Sequence, residues 1–379
     1  MRLHLILLLA ASQVWSFTVD LGGHRTLIGC RGWVEVNGEW EWQEDDPTYR
    51  APVVIEASAT PKLPSGSYKP KQSLGQNYLK DPNTVAKIIR AFHTDATTVF
   101  DSVDHIVELG PGAGALTDKL VETYGTDVLE CIEIDPRSVQ ILQDKHPGLE
   151  VHHADVLQVD YPSMATTKPL VVVGNLPYYI TSQILFALAD ASHEGAVQSA
   201  TVTMQWEVAQ RMVAGVSTKD YGILSVVFQL YADVKCHFKI PPTVFYPKPK
   251  VDSALVGLQF YGPDVLRERL RGVRPTDLRQ VVTTAFRQRR KTVRNSLKKL
   301  VQDVCNGDAD AIQAMWSSVP DTPPSNTNDI LPEDWASKRP EELRPGQFVE
   351  LTRLLYGAGD ADTALGQKVW RKLKHGSNE

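Results

Sequence analysis

The chain reads as an α/β protein with a Rossmann-like, mostly parallel sheet, followed by a smaller C-terminal all-helical domain. Three observations predict this. Strand-length apolar runs alternate with helical stretches from Asp81 to Met204. One run, Leu170-Val171-Val172-Val173, is apolar throughout, as a strand covered on both faces must be. Beyond Asp264 the periodicity is purely helical.

The elements follow in order. Asp81-Pro82 is a good helix start, and Val85, Ile88, Ile89 and Phe92 keep helical spacing. His105–Leu109 is a strand, Leu116–Tyr124 a helix, Val128–Ile134 a strand, and Arg137–Lys145 a helix. Glu150–His153 and Leu170–Val173 are the next strands, then a helix over Ile180–Ala189 and a strand over Ala200–Met204. Ile223–Asp233 and Leu255–Tyr261 read as closing antiparallel strands. A breaker-rich loop surrounds Pro320-Asp321-Thr322-Pro323-Pro324, and Arg344–Leu355 is the last packed helix.

Composition narrows the function classes. With 379 residues, 42% of them hydrophobic, and a formal net charge of -5, the chain is an ordinary globular protein without a global field for polyanions. A local basic patch can still serve a nucleic acid. Cys30, Cys131, Cys236 and Cys305 lie far apart, and the neighbours His152-His153 lack an accompanying ligand set. A reducing compartment and no metal site are expected.

The amino terminus has its own character. Met1-Arg2-Leu3-His4 is a short basic start and Leu5–Ala11 an apolar run too short to span a bilayer. Val14 and Ser16 stand where a cleavage before Phe17 requires small residues, so residues 1–16 read as a signal-like segment. Residues 17–68, with an acidic run from Glu39 to Asp46, read as a presequence or disordered extension. The remaining boundaries are 69–262 for the α/β domain, 263–356 for the helical domain and 357–379 for a loose tail.

The chemistry lies at strand ends. Glu108-Leu109-Gly110-Pro111-Gly112-Ala113-Gly114 follows a strand and opens a helix, where glycines let backbone approach a ligand. Glu133 ends the next strand ~20 residues later, where an acid accepts ribose hydroxyls. Asp155, past the third strand, is placed for an adenine amino group. This loop and acid pair fit NAD and S-adenosylmethionine about equally. Asn175-Leu176-Pro177-Tyr178, after the buried strand, favours the second. The lone pair of an exocyclic amine is delocalised into its ring. The Asn175 oxygen and the carbonyl before Pro177 can accept both amine protons and favour a pyramidal nitrogen. Pro177 fixes that carbonyl's direction, and the Tyr178 ring offers a stacking face for an extruded base.

Taken together, these strings resemble the KsgA-like ribosomal RNA adenine dimethyltransferases, which have a class I methyltransferase sheet. The resemblance also rests on Lys71-Gln72-Ser73-Leu74-Gly75-Gln76-Asn77-Tyr78-Leu79, Tyr221-Gly222-Ile223-Leu224-Ser225, Phe245–Ala254 and Ala285–Leu297. It covers roughly Lys69 to Tyr356, except for an acidic, proline-rich insertion between about Asn306 and Pro340. It implies S-adenosyl-L-methionine bound by Asn77, Leu79, Gly110, Gly112, Glu133, Asp155 and Asn175. It also implies catalysis by Asn175, Pro177, Tyr178 and Phe245, the Phe245 ring facing Tyr178 across the base. The implied reaction is N6,N6-dimethylation of two adjacent adenines near the 3′ end of small-subunit ribosomal RNA.

Arg287, Arg289, Arg290, Lys291 and Arg294, with Lys298 and Lys299, support an RNA partner independently. The stretch contains no acid, and Phe286, Val293, Leu297 and Leu300 give it an apolar face, so one helix can be both packed and phosphate-facing. The expected partner is small-subunit ribosomal RNA or a pre-ribosomal particle, met by a monomer without stable membrane association. The signal-bearing start points to a plastid, with a mitochondrion as the alternative. A binding protein that keeps the fold without catalysis, such as an assembly factor, and a nicotinamide-dependent oxidoreductase are the rival readings.

Overall fold

The computed structural model describes residues 55–57, 60–61, 69–99, 103–165, 168–320 and 323–357, together with the backbone of four strands between Ser16 and Trp42. The chain divides into two compact units, Met1–Ile55 and Glu56–Glu379. In the first unit, Ser16–Asp20 pairs antiparallel with Arg25–Gly29, and Trp33–Val36 with Glu39–Trp42. This departs from the extension without regular structure expected there. The signal was present: Glu39-Trp40-Glu41-Trp42 alternates strictly, and Asn37-Gly38 before it is the dipeptide best suited to a two-residue hairpin turn. The signal-like segment before Ser16 and the tail after Gly357 lie outside the described residues.

The second unit is built on a seven-stranded sheet. Its strands are β1 (Ile106–Leu109), β2 (Leu129–Glu133), β3 (Glu150–His153), β4 (Leu170–Asn175), β5 (Val197–Gln205), β6 (Ala232–Ile240) and β7 (Ser253–Phe260). The spatial order is β6-β7-β5-β4-β1-β2-β3, and only β7 runs against its neighbours. Strand order reverses between β1 and β4, so the crevice beyond their carboxyl ends is where such sheets take ligands. The two strands approach closely there, because a Cβ on Gly174 would lie 2.6 Å from the Leu109 carbonyl oxygen.

Helices α1 (Pro82–Val99), α2 (Thr117–Tyr124), α3 (Pro136–Lys145), α4 (Tyr161–Met164), α5 (Thr181–His193) and α6 (Trp206–Met212) join and cover the strands. Asp81 starts α1 by accepting the Thr84 amide at 2.8 Å, and Val85, Ile88, Ile89 and Phe92 are buried.

Ile223–Tyr231, expected as a strand, is helix α7. Its residues are apolar on nearly every side and buried, so no period reveals the conformation. The closing strand is β6 instead. Its sequence Ala232-Asp233-Val234-Lys235-Cys236-His237-Phe238-Lys239-Ile240 alternates apolar and polar without a break.

The carboxyl-terminal helices are α8 (Pro263–Leu270), α9 (Pro275–Arg287), α10 (Val293–Val304), α11 (Ala309–Trp316) and α12 (Pro345–Tyr356). α7 packs against α9 and α12, and one apolar core runs from the sheet into these helices. The change at residue 262 is therefore one of secondary structure within a continuous core. The 306–340 insertion is docked through Trp335, which is fully buried in the shared core, while its indole N–H ties the insertion to itself by donating to the Ser318 carbonyl at 3.1 Å. No helix among the described residues is long and apolar enough to cross a membrane.

Candidate active site

One cavity opens at the strand-order reversal, walled by the loops after β1, β2, β3 and β4 and by residues 74–79. Of the residues singled out for cofactor and base, Asn77, Leu79, Gly110, Gly112, Glu133, Asp155, Asn175, Pro177 and Tyr178 all line it.

The β1 loop turns through left-handed backbone at Gly110, Gly112 and Gly114. Gly112 is the position that tolerates least, since a Cβ there would stand 2.6 Å from Cε1 of the Tyr78 ring. Its amide donates to Glu133 Oε2 at 2.9 Å, and the Asp135 amide donates to Oε1 at 2.8 Å. Burial raises the Glu133 carboxyl above its usual range, while these amides pull the other way. Asp155 accepts the Leu157 amide at 3.0 Å. The donor set suits a nucleoside: acceptors fixed by backbone stand at the β2 and β3 ends, and side-chain-free backbone faces them after β1.

Asp135, beside Glu133, is wholly buried and carries several loads. It caps α3, receives the Arg137 guanidinium at 2.6 and 3.0 Å, and accepts Gln76 Nε2 at 3.0 Å and Lys71 Nζ at 3.4 Å. The Arg137 contact above all holds its carboxyl well below the usual range. This cluster binds the 71–77 segment against the cavity, which spacing along the chain could not reveal.

Asn175 ends β4 with both ends of its amide engaged. Nδ2 donates to the Asn77 carbonyl at 2.7 Å, and Oδ1 accepts the Thr203 hydroxyl. An amide oxygen has two lone pairs, so one remains for a further donor. The Pro177 carbonyl accepts the Thr181 hydroxyl at 2.9 Å, fixing the turn into α5. The Tyr178 hydroxyl shares a 2.5 Å hydrogen bond with Ser253 Oγ. Burial raises the Tyr178 phenol above its usual range, so the residue meets the cavity as a neutral phenol.

Phe245 does not line the cavity. It is 1% exposed, on a two-residue strand, Phe245–Tyr246, paired antiparallel with Tyr78–Leu79. A ring so covered offers no face to a base in this conformation. The aromatic residues that line the cavity are Tyr178, the exposed Tyr179 and the buried Tyr78, whose ring lies against Gly112.

The basic stretch is two elements rather than one helix. α9 stops at Arg287, and α10 starts at Val293 after Thr292, whose hydroxyl accepts the Asn295 amide. Arg287, Arg290, Lys291 and Arg294 are exposed. Arg289 turns inward, donating to the Thr218 and Lys219 carbonyls, with Glu341 3.8 Å away. His152 also has partners that its sequence context lacked. It bonds Glu130 at 2.7 Å and lies 3.6 Å from Glu150, while His105 holds the other oxygen of Glu130.

Comparison with known proteins matches residues 67–315 to the family model described as ribosomal RNA adenine dimethylase. The chain belongs to the ribosomal RNA adenine dimethylase family. It is 40% identical over 308 residues to ribosomal RNA small subunit methyltransferase A of Salinibacter ruber, covering 81% of this chain and 92% of that protein. It is 41% identical over 229 residues to the protein of the same name from Chlorobium phaeobacteroides, covering 60% and 79%. Among solved structures, a dimethyladenosine transferase from Plasmodium falciparum superposes with a TM-score of 0.55 at 25% identity, covering 72% and 95%. The dimethylase match begins at residue 67, two residues before Lys69, whose carbonyl accepts Arg137 of the Asp135 cluster.

Proposed function

We propose that this chain is an S-adenosylmethionine-dependent ribosomal RNA adenine N6,N6-dimethyltransferase. It acts on two adjacent adenines near the 3′ end of small-subunit ribosomal RNA and so contributes to ribosome biogenesis. The observation that carries this is the meeting, in one cavity, of the Asn175–Tyr178 turn with the glycine loop and the acids Glu133 and Asp155.

When bound, S-adenosylmethionine supplies an electrophilic methyl group. Glu133 accepts the ribose hydroxyls, Asp155 the adenine amino group, and the Gly110–Gly112 backbone, Asn77 and Leu79 form the walls. Asn175 Oδ1 and the Leu176 carbonyl accept the two protons of the target amine, aiming the nitrogen lone pair inward. Pro177 holds that carbonyl, and Tyr178 stacks on the base. The nitrogen sheds one proton to water per transfer, so no strong base is required. We assign Phe245 as a second ring, meeting the base when Phe245–Tyr246 separates from Tyr78–Leu79. Arg287, Arg290, Lys291 and Arg294 bind phosphates. Arg289 belongs to this group by sequence but supports the loop at Thr218–Lys219.

The test is transfer of tritiated methyl onto small ribosomal subunits from a methylation-deficient source. Dimethyladenosine in the digested RNA is expected from the wild type and not from Asn175→Ala. Its absence with the wild type overturns the reading, and stabilisation by NADH instead of S-adenosylmethionine would revive an oxidoreductase. For location, we propose a plastid, with a mitochondrion as the alternative, on the signal-like start and the 66 residues that precede the family match. A fusion of residues 1–68 to a fluorescent protein decides between them.

A further inference from the structure

We infer that Thr203 is a positioning residue for the Asn175 amide, acting one strand away from the reacting atoms. The inference rests on the methyltransferase reading of the cavity and adds a residue that does not itself line it.

β5 runs parallel to β4 with Thr203 in register with Asn175. Ser199, Thr201 and Thr203 alternate along β5 with Ala200, Val202 and Met204, so the three hydroxyls share one face. All are buried. Thr201 donates to Asp95 Oδ2 at 2.7 Å, while the Ser199 hydroxyl has no partner among the described residues. The Thr203 hydroxyl is the one directed to the site, and it donates to Asn175 Oδ1.

A buried hydroxyl has a strong preference for a partner, so this donor is not free to turn elsewhere. The same amide is tied on its other side, through Nδ2, to the Asn77 carbonyl. Turning the amide over would set Oδ1 against the Asn77 carbonyl oxygen, two acceptors facing each other. The two contacts therefore define where Oδ1 sits and leave it one lone pair for an amine proton. Removing the Thr203 hydroxyl leaves the Asn77 contact alone to orient the amide, so the whole planar group can rock about the Cβ–Cγ bond within the angular tolerance of one hydrogen bond. Cofactor contacts on the β1 and β2 loops are untouched.

The test compares wild type with Thr203→Val, which keeps the shape without the donor, and Thr203→Ser, which restores it. In steady-state methylation of small subunits, Thr203→Val should lower kcat about tenfold, the worth of one hydrogen bond. KM for S-adenosylmethionine and the melting temperature should hold, and Thr203→Ser should recover most of kcat. A Thr203→Val protein with wild-type kcat, or a Ser variant no better than Val, overturns the inference. An independent readout uses no RNA. The ¹⁵N-labelled protein should show the Asn175 side-chain amide, assigned by its loss in Asn175→Asp, shifting and exchanging faster with solvent in Thr203→Val. An unmoved signal overturns the inference whatever the activity. A moved signal in Thr203→Val, together with a wild type that methylates nothing, would sink the functional reading and leave the contact standing.

Discussion

The Gly112 amide and the Glu133 carboxylate meet at 2.9 Å, so the loop after β1 and the end of β2 form one unit before any ligand arrives. Gly112 sits in left-handed backbone with the Tyr78 ring at its α-carbon. Gly112→Ala should therefore cost about 1–2 kcal/mol in backbone strain alone, plus displacement of Tyr78. Calorimetry should find S-adenosylmethionine affinity reduced more than tenfold, with a lowered melting temperature. Wild-type affinity in that variant would contradict the assigned nucleoside site.

Glu108 lies beneath the same loop, 1% exposed, with Cys131 Sγ 3.9 Å from Oε2. Burial pushes its carboxyl up to about 8. The folded protein then keeps a proton that the unfolded chain releases above its ordinary value of 4.5. That stability is full below the unfolded value and is lost as pH rises through the folded one. Urea unfolding should show the wild type losing stability relative to Glu108→Gln as pH rises from 4.5 to about 8, by at most ~1.4 kcal/mol per pH unit. Parallel pH profiles for the two proteins would refute the assignment.

Tyr178 is tethered by Ser253, and the proposed mechanism uses it as a stacking ring. Tyr178→Phe should retain kcat within about tenfold, since only the tether is removed. Tyr178→Ala should lose roughly tenfold to a hundredfold, the worth of a stacked base. Phe245→Leu should follow Tyr178→Ala if the second ring meets the base, and should leave kcat near wild type if Phe245 only fills the fold.

The basic residues separate into two groups. Arg290→Ala, Lys291→Ala and Arg294→Ala should weaken RNA binding and reduce the salt dependence of log K by about 0.7–0.9 for each phosphate left without its cation. Arg289→Ala should act chiefly on stability, because its guanidinium serves the Thr218 and Lys219 carbonyls. A thermal scan beside a salt titration distinguishes the two effects.

Most of the sheet was readable because its strands are short, apolar and punctuated by glycine or acid at their ends. α7 was not, since a segment buried all round shows no face to betray its period. β6 and the Glu39–Trp42 strand carry strict alternation, a strand signal legible in the sequence itself. In the site, the residues at strand ends could be placed by topology alone. Three features could not: Phe245 turned into the fold, Arg289 turned onto a loop, and Thr203 paired with Asn175. Each depends on which chain segment lies next to which, and a single strand's pattern gives the face of a residue but not its neighbour.

The Asp135 cluster bears on how far the amino terminus can be shortened. Its contacts reach Lys69 through Arg137, then Lys71 and Gln76. A chain shortened to any point before Lys69 would keep these contacts whole. Cutting only a few residues further would strip one wall from the cavity while sparing the Asn175–Tyr178 turn. The buried carboxylate at the head of α3 thus sets a lower limit on the amino-terminal length that a functional chain can have.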